Sequence, residues 1–531
     1  MKKIPIGIEN FKEIIDKNYY FIDKSLLIQD VIDEKIVLYT RPRRFGKTLN
    51  ISMLNYFFNI KEKDNAYLFN DLAISQNQEA LKHQNQYPVI SLTLKEMKND
   101  SFEKQLSMFS ILIKDIIRKN EELLDSKNIN KIDKETLNKY YIGTKDEVEL
   151  QNALKFICSC MKQHYGQNVI ILIDEYDVPL QDAYIHGYYD QMVIFLRNVF
   201  SAVLKTNDNL EKGIMTGCLR IAKESIFTGL NNFSVYSILD KKSSLRFGFI
   251  QNEVNQILDD YQMIQTKDIV KEWYDGYLFG NSEIYNPWSV LKFIHKAIYD
   301  EIEPEAFWAN TSGNDVVYKY IQDGDELMKE EFEKLIQGKS IIKTIQPELT
   351  YREMDNLEYV YSFLLFTGYL KTKRKISMDI YELVIPNKEV YKIYDQSFIQ
   401  YFKEYTKIRK RDFVEALKQE NTEKADEILN QILRQSISYF DNYENFYHGF
   451  MVGLLQEYDV LSNREAGQGR FDIVIKPRRI REKCIIIECK KSPTVKQLVS
   501  DSEKAAKQII NKKYIEGMQD EGYPHCTTRN Y

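Results

Sequence analysis

Apolar positions fall along this chain in two periods. Short continuous apolar runs alternate with longer stretches in which apolar residues return every three or four positions. The runs predict buried strands, and the stretches predict helices packed on them. The first run is Ile36, Val37, Leu38 and Tyr39. Residues 41–45 then carry no periodicity and contain Pro42, which breaks regular structure. After them Leu49, Ile51, Leu54, Phe57 and Phe58 share one helical face. Further runs at 87–95, 169–173 and 212–221 predict three more strands, and 101–164 and 189–205 read as helical. Strands alternating with helices at this rhythm predict an α/β fold with a parallel sheet. Upstream, 26–33 reads as a helix with Asp23 or Ser25 as its cap.

The pattern then changes twice. Residues 235–330 read as mainly helical, with Gly- and aromatic-rich interruptions at 273–280 and 308–313. Residues 335–430 mix helices with strands expected at 359–369 and 381–385. From about 436 the chain predicts a helix at 444–455, strands at 467–476 and 484–491, and a helix at 496–514. These shifts divide the chain into 1–235, 236–435 and 436–531, in keeping with the three to four domains that 531 residues allow.

Composition narrows the function classes. The chain is 44% hydrophobic and 28% charged, an ordinary globular mixture. With 73 basic and 78 acidic residues its net charge is −5, so nucleic acid would have to bind local basic patches. Six cysteines without a CxxC pair read as reduced structural thiols. No secretory leader or 18-residue apolar run is visible, so no membrane partner is expected and the cytoplasm is the expected location.

Two constellations carry chemistry. The first is Gly46-Lys47-Thr48 between a strand and an amphipathic helix, the order of a P-loop. Backbone N–H groups at a helix N-terminus would cradle the phosphates of ATP and Lys47 would reach the terminal ones, with Phe45, Gly46, Thr48 and Leu49 as further binding residues and Arg43 and Arg44 either on the phosphates or simply exposed. The usual pattern opens with Gly where Arg41 stands, so other residues must make the first turn. A chance Gly-Lys-Thr at a helix start is the competing reading. Asp174 and Glu175 end the 169–173 run, where open α/β sheets place ligands. Thr48 and Asp174 would hold Mg²⁺, and Glu175 would act on the attacking water. Arg220 or Thr216 could sense the terminal phosphate, although a surface arginine explains Arg220 equally well.

The second constellation is Asp472, Glu488 and Lys490. Glu488 and Lys490 alternate onto one strand face, and a hairpin would bring Asp472 to them. Two carboxylates holding Mg²⁺ beside a lysine suit phosphodiester cleavage. Glu444 is a further candidate metal ligand, and Gln508 could orient the lysine or the water. Lys476, Arg478, Arg479, Arg481 and Lys483 suit a DNA backbone. A salt-bridged hairpin is the competing reading.

These motifs carry a resemblance. Tyr20-Phe21-Ile22-Asp23-Lys24-Ser25, the loop Arg41-Pro42-Arg43-Arg44-Phe45-Gly46-Lys47-Thr48, Asp174-Glu175-Tyr176-Asp177 and Phe227-Thr228-Gly229 resemble the AAA-ATPase-like domain of bacterial proteins. Ser462 to Glu465, Arg470-Phe471-Asp472 and Glu488-Cys489-Lys490 resemble the PD-(D/E)XK nuclease domain fused to it. The resemblance implies a P-loop ATPase core, a restriction-endonuclease-like α/β core with Asp472, Glu488 and Lys490 as its triplet, and the arginine form of the loop. It makes ATP, Mg²⁺ and DNA the expected ligands, and leaves homo-oligomerisation open. Family members add a further strand after the last helix. Residues 522–531 do not read as one, so the C-terminal sheet is expected to lack that edge. The alternative function is a nucleotide-dependent signalling switch whose C-terminal domain binds nucleic acid or protein without cutting.

Overall fold

The computed structural model describes residues 1–205, 207–221, 233–300, 302–308, 315–357, 359–419, 421–434, 455, 459–462, 465–466, 469–470, 473–476, 484–488 and 497–530. The chain forms two compact units, Met1–Asn314 with Gly338–Ile393, and Asp315–Gln337 with Tyr394–Tyr531.

The first unit is built on strands β1 (Ile36–Thr40), β2 (Val89–Thr93), β3 (Val169–Asp174), β4 (Leu210–Gly217) and β5 (Phe233–Tyr236). Their order is β2-β3-β4-β1-β5, and every pairing is parallel. β1 and β3 are buried along their whole length, which is why they read as continuous apolar runs. Parallel strands end at one edge, so Thr40 and Asp174 deliver the segments after them to the same side of the sheet. Helix Lys47–Phe58 buries Ile51, Leu54, Phe57 and Phe58, as its spacing predicts. Helices Phe102–Arg118, Lys131–Ile142 and Glu147–Tyr165 lie between β2 and β3 in sequence. Ser101, Asn130 and Asp146 cap them with side-chain oxygens.

Two expectations about this unit are corrected here. Helix Leu27–Ile32 has no side-chain cap. Asp23 instead accepts from the backbone N–H groups of Ser25 and Ala73, and the Ser25 hydroxyl accepts from that of Ile74. Both polar side chains tether the 73–76 turn rather than start the helix. Residues 359–369 are not a strand but carry helix Val360–Thr367, buried on all sides and closed by Gly368 at φ +94°. A fully buried helix and a fully buried strand share one apolar pattern, and periodicity cannot separate them. β5 was not foreseen: it is short, and each of its residues is only half-buried.

Two small antiparallel sheets complete this unit: the hairpin β6 (Tyr277–Phe279) and β7 (Ser282–Ile284), and β8 (Ile341–Thr344), β9 (Lys371–Lys375) and β10 (Ile380–Val384) in the order β8-β10-β9. Glu389 is fully buried. Its carboxylate accepts from the Ser289 hydroxyl (2.8 and 2.9 Å) and the Trp308 N–H (2.7 Å). Burial outweighs these donors and pushes its pKa up to about 7. A carboxyl whose folded pKa exceeds its unfolded value contributes stability below about 4.5 that is lost as pH rises through about 7. Melting temperature should therefore fall between pH 5 and pH 8 by the equivalent of ~3 kcal/mol in the wild type, and this component should vanish in Glu389→Gln. Equal pH slopes in the two proteins would contradict the assignment.

The second unit contains β11 (Asp459–Ser462), the two-residue pair β12 (Glu465–Ala466) and β13 (Gly469–Arg470), β14 (Ile473–Lys476), β15 (Cys484–Glu488) and β16 (Cys526–Asn530). Sheet order is β11-β14-β15-β16, antiparallel except for the parallel pair β15/β16. One face, Ile473, Ile475, Ile485 and Ile487, packs on Phe413, Val414, Leu417 and Leu429. The other, Val474, Cys484 and Ile486, packs on Ile509, Tyr514 and Met518. The expected missing edge is present: β16 pairs along all of β15, with Cys526 opposite Cys484 and Asn530 opposite Glu488. An edge strand needs no alternating apolar pattern, and Cys-Thr-Thr-Arg-Asn shows none. The expected helix 444–455 lies outside the described residues except at Leu455.

Candidate functional site

The loop after β1 is held by its arginine. The Arg41 side chain is fully buried. Its Nη1 donates to the carbonyls of Thr40 (2.8 Å) and Tyr236 (2.7 Å), and its guanidinium lies over the rings of Phe247 (5.0 Å) and Phe279 (5.3 Å). The Arg41 N–H donates to the carbonyl of Gly217. Arg41 thus ties the first turn to β4 and β5, where a glycine would have offered only freedom. Burial draws its pKa down to about 10, so it stays charged at neutral pH. Gly46 sits at φ +81° as the N-cap of helix Lys47–Phe58, a conformation that glycine adopts without strain. Arg44 adopts φ +71°.

Beyond the loop the charges converge. Lys47 Nζ donates to the carbonyls of Arg41 and Pro42, both at 3.0 Å, and to Cys218 Sγ at 3.6 Å. The Thr48 hydroxyl donates to Asp174 Oδ2 at 2.7 Å across 126 residues of chain. The Thr216 hydroxyl donates to the other oxygen, Oδ1, at 2.5 Å. Asp174 is 1% exposed. Glu175 follows at φ +53°, a left-handed conformation that is strained for glutamate. Burial raises its pKa, and Lys47 opposes that rise.

Loop residues 43–50, Glu175 and Asp177 line a cavity of about 300 Å³. The hydroxyl of Thr48 and the carboxylate of Asp174 are hard oxygen donors of the kind that hold Mg²⁺ beside phosphate, so the side chains present fit a nucleotide and its metal.

The predicted residues divide. Arg43, Arg44, Phe45, Gly46, Lys47, Thr48, Leu49 and Glu175 all line the cavity, and Asp174 reaches it through Thr48. Arg43 Nη2 donates to Gln181 at 2.9 Å, and Arg44 lies over the Trp288 ring at 4.4 Å. Phe45 also packs between Tyr277 and Phe279. Arg220 is not among the lining residues: it forms an ion pair with Glu348 at 2.8 Å. The Thr216 hydroxyl is engaged by Asp174.

Sequence reasoning missed Lys95, Arg246 and Trp288, which complete the cavity wall. Arg246 pairs with Asp30 at 3.0 Å, and Lys95 with Glu9 at 3.1 Å. The one local signal was Asn286-Pro287 before Trp288, a capped helix start that aims the indole at the loop.

In the second unit Glu488 ends β15, fully buried, and Gln508 of helix Leu498–Asn511 donates to its Oε1. Gln508 therefore orients the Glu488 carboxylate, and its expected partner Lys490 lies outside the described residues. Ile473 pairs with Ile487, the residue before Glu488. Asp472, Lys490 and Glu444 lie outside the described residues. Among the described residues, no three His, Cys, Asp or Glu side chains cluster as a metal site.

Residues 5–227 match the family model of a predicted AAA-ATPase, and residues 442–527 match that of the PD-(D/E)XK nuclease superfamily. A curated relative, described as an uncharacterised protein in the vnfD 5' region of Azotobacter chroococcum mcd 1, is 26% identical over 315 residues. That alignment covers 58% of this chain and 54% of the relative, so the chain spans about half the length of the curated relative it matches. Among solved structures, the ORC2 protein of Aeropyrum pernix (ADPNP-ADP complexes) aligns over 70% of this chain and 91% of its own, at 8% identity and a TM-score of 0.26. Among the described residues no helix is long and apolar enough to cross a membrane.

Proposed function

We propose that this chain, which carries a predicted AAA-ATPase domain and a PD-(D/E)XK nuclease superfamily domain, hydrolyses ATP and couples that step to metal-dependent cleavage of DNA. The observation that carries the ATPase half is the contact of Thr48 with Asp174, with Lys47 and Glu175 on the same cavity. In this reading the loop N–H groups hold the phosphates, and Arg43 and Arg44 add charge at the rim. Lys47 moves from the loop carbonyls to the terminal phosphates. Thr48 and Asp174 would hold Mg²⁺, which would supply charge neutralisation at the phosphates. Glu175 orients and deprotonates the attacking water. Residues 1–235 form the ATPase domain, 236–435 the connecting region and 436–531 the nuclease-like domain, and the protein works in the cytoplasm.

For the nuclease half, Glu488 and Asp472 would hold the metal and Lys490 would position the water. Glu444 is a further candidate ligand. Support comes from the family match and from Gln508, which fixes the buried Glu488 carboxylate at a strand end. Supercoiled plasmid incubated with Mg²⁺ or Mn²⁺ should be nicked by the wild type. Glu488→Ala and Lys490→Ala should each lose about 10²-fold or more of that rate. Plasmid that is bound but never cut, with ATP turnover intact, would replace this reading with the nucleotide switch.

A further inference from the structure

The sequence pairs Asp174 and Glu175 with two residues to which the proposed reaction gives no role, Tyr176 and Asp177. Both side chains are buried, at 0% and 2% exposure. Both reach the loop that follows β4. The Tyr176 hydroxyl donates to the carbonyl of Leu219 (2.6 Å) and accepts from the N–H of Ile221 (3.0 Å). Asp177 Oδ2 accepts from the N–H groups of Cys218 (2.8 Å) and Leu219 (3.0 Å). The Tyr176 N–H closes the arrangement on the carbonyl of Thr216 at 3.1 Å. Five hydrogen bonds thus join the turn after β3 to the end of β4 and the loop after it.

The packing admits no slack. A Cβ at Gly217 would lie 2.5 Å from the Tyr176 ring and 2.8 Å from Asp177 Oδ1. What the clamp holds matters on both sides. On one side stands Glu175, kept at φ +53° between the Asp174 and Tyr176 anchors. On the other, Cys218 places its sulfur 3.6 Å from Lys47 Nζ. Arg220 binds Glu348 at 2.8 Å, and its carbonyl accepts from the Leu349 N–H at 3.2 Å.

We infer that Tyr176 and Asp177 are positioning residues that lock the catalytic turn and the loop 218–221 into one body, so that Glu175 is held in place for water attack on bound ATP. Tyr176 does not line the cavity, and the Asp177 carboxylate that does is engaged by the N–H groups of Cys218 and Leu219, so the clamp acts on turnover and leaves ATP affinity to the P-loop. Because loop 218–221 also binds the 348–349 segment, any shift of the turn on hydrolysis is passed to that segment. This inference rests on the ATPase reading of the same cavity.

The full chain carrying Tyr176→Phe, Asp177→Ala or Asp177→Asn tests it through three measurements. These are ATP affinity with a fluorescent analogue, steady-state ATP turnover, and amide hydrogen exchange in the 216–221 peptide. Tyr176→Phe and Asp177→Ala should raise exchange in that peptide. They should lower kcat by about 10²-fold, because small misplacement of a reacting group is costly, with affinity nearly unchanged. Asp177→Asn keeps a carbonyl oxygen for both N–H groups and should stay within about threefold of the wild type. Unchanged exchange in Tyr176→Phe and Asp177→Ala overturns the clamp. Raised exchange with unchanged kcat, or affinity falling in step with kcat, overturns its positioning role. A wild type that never turns over ATP overturns the ATPase reading instead, recognisable because the exchange difference persists.

Discussion

Lys47→Ala loses ATP binding, with affinity falling by about 10²-fold or more and turnover becoming undetectable. The lysine is 4% exposed and lies at the N-terminus of its helix, bonded to two loop carbonyls at 3.0 Å. Those carbonyls can hold an ammonium only loosely compared with a polyphosphate. Hydrogen bonds between charged groups contribute roughly 1.5–3 kcal/mol each. Losing two of them at the phosphates corresponds to about 10²–10⁴ in the dissociation constant. Titration with ATP by calorimetry gives the number, and circular dichroism confirms that the variant is folded. Undiminished ATP binding by a folded Lys47→Ala protein would remove the loop from the binding site.

Glu175→Gln separates binding from chemistry. Glutamine keeps the shape and a hydrogen-bonding oxygen but cannot accept a proton. Loss of a general base costs about 10²–10⁴ in rate. ATP should bind at wild-type strength while phosphate release falls by that factor. The left-handed backbone at Glu175 carries a conformational cost. Single-turnover phosphate release against bound ATP checks the prediction. Wild-type turnover in this variant would move the base to another group.

How much of this was legible in the sequence depends on where the information lies. β1 and β3 were readable because full burial writes a continuous apolar run, and the loop-to-helix order fixed Gly46, Lys47 and Thr48. Helix Val360–Thr367 was misread for the same reason, since total burial erases the period that distinguishes helix from strand. β5 and β16 escaped because edge strands need no alternating pattern, and backbone pairing with a neighbour decides them. The meeting of Thr48 with Asp174 was inferred from motif order and is present as a direct contact. Arg246 was invisible, since it reaches the cavity from about two hundred residues downstream through tertiary packing alone, and Trp288 was marked only by the capped helix start at Asn286-Pro287. Arg220 was open to two readings, phosphate sensor or surface residue, and it pairs with Glu348 without lining the cavity.

The most direct test of the account is phosphate release from ATP by the wild-type chain, measured with Mg²⁺ and again with the metal chelated. The account predicts steady turnover that requires the metal and disappears in Lys47→Ala. Wild-type protein that is folded, yet neither binds nor hydrolyses ATP with Mg²⁺ present, would contradict it.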